Sequence, residues 1–187
     1  GLAGVMGGLN SEITAETTTI VIESANFTAD NIRATSKKLA LRTEASSRFE
    51  KGIDPNLTLD AINRVCKLVE MMGAGTIVKG TIDIYPQKYE AAAIRVRPHR
   101  INALLGTEMS DLELANIYKR LEMTVKAKGD DLYVTPPTVR LDLKEEIDFL
   151  EEAARIYGYD RLNVSVPKGN IQGGKTLRRI LEDIIKE

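Results

Sequence analysis

Two sets of residues in this 187-residue chain have the types and spacing to do chemistry. The first is Gly7 and Gly8, closing the run GLAGVMGG at 1–8, together with Glu23 at the end of the apolar run Ile20, Val21, Ile22. A glycine pair lets a backbone approach a ligand closely because no Cβ stands in the way. A carboxylate at the end of an apolar strand needs a hydrogen-bonding partner. A tight turn plus a glutamate bonded to backbone explains the same residues. The second set is Asp142, Asp148, Glu151 and Glu152. The last three stand at i, i+3 and i+4 and share one helical face. Hard oxygen ligands so grouped suit Mg²⁺, although on the residues alone the plainer reading is a solvated acidic face that favours the helix N-terminus. No Ser/His/Asp or Cys/His combination is legible. The single histidine, His99, follows Pro98 at a strand-to-helix junction and reads as a surface residue. The single cysteine, Cys66, reads as a small core or flank residue.

The elements that must position these groups are mixed. Residues 17–23, TTTIVIE, are rich in β-branched side chains and predict a strand. Asp54-Pro55 predicts a helix start, with Asp as cap and Pro at the first position. Leu57, Ala61, Ile62, Val65, Leu68, Val69 and Met72 continue it at helical spacing until Gly73. The composition changes across 86–93, PQKYEAAA, which is the expected domain boundary. Beyond it, Ile94 and Val96 mark a short strand. Ser110 and Glu113 form a capping box for a helix burying Leu112, Leu114, Ile117 and Leu121. Val125 and Ala127 are set to pair with Leu132 and Val134 in a hairpin around Gly129-Asp130. Asp142 is the expected cap of the next helix, with Glu145 at its third position. The fold class read from this pattern is α+β: a partial sheet-and-helix domain at 1–88, a small winged-helix-like domain at 89–166, and a linker entering a further helix at 167–187.

Composition narrows the function. Formal net charge is −1 and aromatic residues make up 5% with no Trp, which argues against a chain-wide nucleic-acid surface. Arg95, Arg97, Arg100, Lys119 and Arg120 remain a candidate local basic patch. A lone cysteine forms no internal disulfide and agrees with a reducing, cytoplasmic setting. No apolar run reaches the ~18 residues that cross a membrane. Opening directly in a glycine-rich motif, without an initiator Met, is expected of an excised fragment.

The order GLAGVMGG, IESANF at 22–27 and LRTEASSRFEKGIDP at Leu41–Pro55 resembles the B3/B4 domain of the bacterial-type phenylalanine–tRNA ligase β-subunit family. RLDLKEEIDFLEEAARIYGYDRL at 140–162 resembles the B5 domain that follows it there. The resemblance covers roughly 1–165 in the family's order. It implies that residues 1–88 belong to an editing domain that hydrolyses tyrosine wrongly esterified to tRNA(Phe). Glu23 falls on the family glutamate that binds the tyrosyl hydroxyl, and Gly7, Thr43 and Ala45 fall on other pocket positions. Asp142, Asp148, Glu151 and Glu152 match positions that the family assigns to a Mg²⁺ site shared with the α subunit, so the site is expected to be weak or empty without that subunit. The parent enzyme implied is an α2β2 ligase that charges tRNA(Phe) using ATP, with the synthetic site on α and no ATP bound by this fragment. Family pockets also draw on a preceding stretch, including a histidine, so this chain alone is expected to edit poorly or not at all. It departs from the family at Ala40, where Gly is usual. Arg48, Glu50 and Asp54 also have counterparts and are expected to form a charged network around the turn. The competing readings are a non-catalytic tRNA- or DNA-binding module and a structural scaffold.

Overall fold

A computed structural model describes residues 1–163 and 173–186. The expected boundary at 166/167 and the start of the tail linker lie outside the described residues. The fold is α+β, with seven helices and one three-stranded antiparallel sheet among the described residues.

The first 93 residues are helical and loop-rich. Residues Leu2–Met6 fold back on themselves through an isolated bridge. Gly4 sits at φ +65°, and a Cβ there would lie 2.7 Å from Ile32 Cδ1 and 2.8 Å from Phe27 Cδ2, so only glycine fits. Helices α1 (Ala29–Lys38) and α2 (Glu44–Phe49) pack together near Phe27, whose ring meets Phe49 edge-to-face at 4.8 Å. Asp54 caps a 3₁₀ turn, Pro55–Leu57, that runs into α3 (Thr58–Met71). The helix stops where expected, with Gly73 at φ +63°. The residues at helical spacing line α3 as expected, and none of them is buried. The strand expected over 17–23 is absent: that segment forms no strand or bridge, with Val21 96% exposed. β-branched residues favour a sheet only when a neighbouring strand supplies ladder partners.

The remainder follows the sequence closely. β1 (Ile94–Val96), β2 (Thr124–Lys128) and β3 (Asp131–Thr135) form a sheet with β3 in the centre. Val125 faces Val134 and Ala127 faces Leu132, the expected register, with Gly129 at φ +61° in the turn. Helices α4 (Pro98–Leu105), α5 (Asp111–Arg120) and α6 (Glu146–Tyr157) surround a core of Val96, Ile101, Leu114, Tyr118, Val134 and Phe149. The Ser110 hydroxyl accepts from Glu113 N, and the Glu113 carboxylate accepts from Ser110 N at 2.8 Å. That box rotates α5 so that Leu114, Ala115, Ile117 and Tyr118 are buried, while Leu112 lies outside at 68% exposure. The expected cap at Asp142 is not used. The cap lies three residues later, at Glu145, because Asp148 Oδ2 accepts from Lys144 N and Glu145 N at 2.8 Å each and closes the first turn there. A last helix, α7 (Leu177–Lys186), has no buried residue among those described.

Candidate functional sites

An open cleft of about 470 Å³ is lined by the first eight residues with Ser11, Glu23 and Ala45. Its floor is the closed Leu2–Met6 loop, where Leu2 N donates to Met6 O at 2.7 Å and Met6 N donates to Leu2 O at 3.0 Å. Three of the four pocket residues expected from the sequence, Gly7, Glu23 and Ala45, share this lining. A Cβ on Gly7 would meet nothing within 4 Å, so a side chain there would project into open space. Glu23 contributes the only carboxylate of the lining. It is exposed rather than buried at a strand end, and forms no hydrogen bond or ion pair among the described residues.

Thr43 is placed differently. Its hydroxyl donates to Val5 O at 2.6 Å and accepts from Ser46 N at 3.1 Å, while Ser46 Oγ accepts from Thr43 N at 2.9 Å. The hydroxyl therefore clasps the glycine-rich loop to the start of α2 instead of facing the cleft. Sequence reasoning missed Gly4 and Val5. The glycine's spacing within GLAGVMGG was visible, but its clash partners Phe27 and Ile32 come from elsewhere in the chain.

The charged network expected around the turn divides into separate contacts. Glu50 pairs with Arg42 at 3.1 Å, and Arg48 pairs with Glu44 one helical turn away. Asp54, 3% exposed, accepts instead from Asn56 N at 2.9 Å and from Thr138 Oγ1 at 2.6 Å.

The four carboxylates near α6 do not converge. Arg140 Nη2 lies 2.6 Å from Asp142 and 3.1 Å from Glu152, and Arg155 pairs with Glu152 Oε2, which Arg140 Nη1 also reaches. The Asp142 and Glu152 carboxyls are held below their ordinary range, chiefly by hydrogen bonds from Arg140, and Arg140 is raised in return. Asp148 is spent on the helix cap, and Glu151 is exposed. Among the described residues no group of three or more His, Cys, Asp or Glu side chains is placed to hold a metal ion. A guanidinium already sits between two of the proposed ligands, so this set does not fit a divalent cation within the chain alone. Arg140, two residues before Asp142, is the member that sequence reasoning left out.

The candidate basic patch is largely neutralised. Arg95 pairs with Asp131 at 2.7 Å, and Arg97 and Arg100 both pair with Glu146, at 2.6 and 2.9 Å. Hydrogen bonding from Arg97 lowers the Glu146 carboxyl. Lys119 and Arg120 are exposed on α5, and His99 is exposed in the first turn of α4. No helix among the described residues is long and apolar enough to cross a membrane.

Comparison with known proteins agrees with both halves of this description. Residues 1–74 match the family model for the B3/4 domain, and residues 94–159 match that for the tRNA synthetase B5 domain. The whole chain is 46% identical to the phenylalanine–tRNA ligase β subunit of Clostridium acetobutylicum and 45% identical to that of Clostridium tetani. The β subunit of Bacillus subtilis is 41% identical over 97% of the chain. In all three the chain spans 24% of the relative's length. With its B3/4 domain followed directly by a B5 domain, the chain belongs to the phenylalanine–tRNA ligase β-subunit family.

Proposed function

We propose that residues 1–88 contribute the pocket of an editing site that hydrolyses tyrosyl-tRNA(Phe), and that residues 89–166 serve assembly with an α subunit in an α2β2 ligase. The chemistry explains why a second site is needed. Tyrosine differs from phenylalanine by one hydroxyl, and an apolar synthetic pocket rejects an added hydroxyl by only about 10²-fold. A site that hydrogen-bonds that hydroxyl discriminates in the other direction, because phenylalanine leaves its polar group unpaired.

The observation that carries this reading is the cleft itself, where Gly7, Glu23 and Ala45 meet and Glu23 is the only carboxylate. With no partner among the described residues, the Glu23 oxygens are available to accept a hydrogen bond from a phenolic hydroxyl. Small side chains at 7 and 45 leave width for an aromatic ring. The cleft lining holds no paired nucleophile and base, so hydrolysis in this reading uses a positioned water.

The deciding experiment is deacylation of tyrosyl-tRNA(Phe) by a chain extended upstream through the whole editing domain, with and without Glu23→Ala. Rapid hydrolysis that collapses in the variant supports the reading. An extended domain that folds and does not hydrolyse ends it, leaving an assembly scaffold.

ATP and tRNA(Phe) belong to the proposed whole enzyme, with ATP bound on the α subunit. A Mg²⁺ held by Asp142, Asp148, Glu151 and Glu152 is likewise proposed only as a site shared with α, since Arg140 must yield Asp142 and Glu152 for it to form. Titration with Mn²⁺ is expected to show binding only when the α subunit is present. Equal binding by this chain alone would contradict the sharing.

A further inference from the structure

Among the described residues, the two halves of the chain meet where the turn 52–57 reaches the loop after β3. The turn 52–57 leaves α2 and enters α3, and it meets the loop 136–142 that joins β3 to α6. Asp54 Oδ2 accepts from Thr138 Oγ1 at 2.6 Å across a sequence separation of 84 residues, and the carboxylate is 3% exposed. Two residues earlier, Gly52 sits at φ +83° with Leu141 Cδ1 3.3 Å from where a Cβ would stand. Two residues later, Asn56 holds the connector between the halves. It accepts from Tyr85 Oη at 3.0 Å and donates to Tyr89 O at 3.1 Å, while Tyr89 N donates to Tyr85 Oη at 2.9 Å.

We propose that the turn 52–57 is a locked joint, seated on the loop 136–142, that fixes the cleft-bearing region against the B5 region as one body. Apolar contacts alone tolerate sliding. A short hydrogen bond to a buried carboxylate has a narrow geometric optimum and sets a register. The same loop carries Arg140, whose bonds to Asp142 and Glu152 tie it to α6. On the other side, α2 leads from the turn back to Thr43 and its clasp on Val5. The joint therefore sits midway along a continuous set of contacts between the cleft and the acidic face of α6.

Amide hydrogen exchange on the chain, read by mass spectrometry, tests the joint through Thr138→Val, which keeps the side chain's shape and removes the donor. The expected result is roughly tenfold faster exchange in 52–57 and 85–89 as well as in 136–142, the scale of one hydrogen bond to a charged acceptor, with α5 unchanged. Thr138→Ser restores the hydroxyl and is expected to return all three segments to the native rate. Faster exchange confined to 136–142 would overturn the proposal, since the loop would then loosen without releasing the turn. A second arm uses Asp54→Asn. Its effect in 52–57 is expected to shrink when Thr138→Val is already present, and fully additive effects would equally overturn the joint.

Discussion

The two halves of this chain are held together by different physics. Residues 94–157 build a core around Val96, Ile101, Leu114, Tyr118, Val134 and Phe149, each no more than 1% exposed. In residues 1–93 only Val5 and Ile32 are buried apolar side chains, while Val21, Val78, Ile82 and Ile84 stand more than 80% exposed. The first half is organised instead by polar clasps: Thr43 on Val5, Ser24 on Thr58 O at 2.7 Å, and Ser36 on Leu41 O at 2.8 Å. A core resists the loss of any single contact moderately well, because dispersion and burial are spread over many atoms. A clasped loop depends on a few directional bonds. The candidate cleft lies in the half built the second way, and the acidic cluster in the half built the first way.

The sharpest way to break this comparison is a pair of truncations. Phe149→Ala removes a fully buried ring that meets Tyr118 edge-to-face at 5.8 Å. It also disturbs the helix whose carbonyl accepts from the Tyr118 hydroxyl. The expected loss is about 3–5 kcal/mol, a large part of the ~5–15 kcal/mol a domain has in hand. Leu68→Ala in α3, already 38% exposed, is expected to cost under about 1 kcal/mol. Urea unfolding of both variants reads the difference directly. A Leu68→Ala loss as large as that of Phe149→Ala would mean that the α3 face is covered in solution, and the contrast between the halves would disappear.

Electrostatics sharpens the comparison next, since the ion pairs with lowered carboxyls lie in the second half. Glu146 accepts from Arg97 N at 2.8 Å, from the Arg97 guanidinium and from Arg100. Its folded-state carboxyl is lowered, first by the side-chain bond to Arg97. A lowered carboxyl contributes stability that is complete above the unfolded value of about 4.3 and is lost as pH falls through the lowered folded value. Glu152 and Asp142 act in the same direction. Acid is therefore expected to weaken the B5 region below about pH 4, and Glu146→Gln to flatten that dependence while costing about 2 kcal/mol at neutral pH. A stability–pH curve of unchanged slope in the variant would show that Glu146 does not carry it.

What was legible in the sequence follows the same division. The Ser110–Glu113 box and the hairpin around Gly129 are governed by residues within a few positions of one another, and both formed as read. The strand over 17–23 needed a partner strand that no local rule supplies. The cap at Asp142 was misplaced because Asp148 offers a better-positioned acceptor to Lys144 N and Glu145 N. Leu112 was assigned to the core by apolarity alone, whereas the box fixes the rotation of α5. The members of the cleft were named through resemblance, but the work of Thr43 depends on Val5, 38 residues away, and that of Asp54 on Thr138. Contacts of that span leave no periodic trace.

A smaller effect tests the clasped half. Thr43→Val removes the donor to Val5 O and the acceptor for Ser46 N while keeping the side chain's size. A cost of about 1–2 kcal/mol is expected from losing a cap and a buried hydrogen bond together. Thr43→Ser is expected to recover most of it. Exchange at the Val5 amide, bonded to Leu2 O at 2.9 Å, should rise in the valine variant. If it does not, the glycine-rich loop is held by something other than Thr43.

The smallest effect runs towards greater stability and comes from two helix ends, both in the first half. α1 and α3 finish in the same way. Ala40 N donates to Lys37 O and Leu41 N to Ser36 O, just as Gly73 N donates to Glu70 O and Ala74 N to Val69 O. In both, the residue after the cap takes a left-handed conformation, φ +50° at Ala40 and +63° at Gly73. Glycine adopts that conformation freely, whereas a Cβ adds about 1–2 kcal/mol of strain. Glycine also gives up more chain entropy on folding, by about 0.5–1 kcal/mol. The strain exceeds the entropy, so Ala40→Gly is expected to stabilise the first half by up to about 1 kcal/mol. Gly73→Ala, the mirror experiment at α3, is expected to destabilise by a similar amount. Just beyond Ala40 come Thr43, the cap of α2, and Ala45 in the first turn of that helix. Slower exchange at the Val5 amide in Ala40→Gly would show that this strain reaches the cleft. An unchanged rate would confine it to the end of α1.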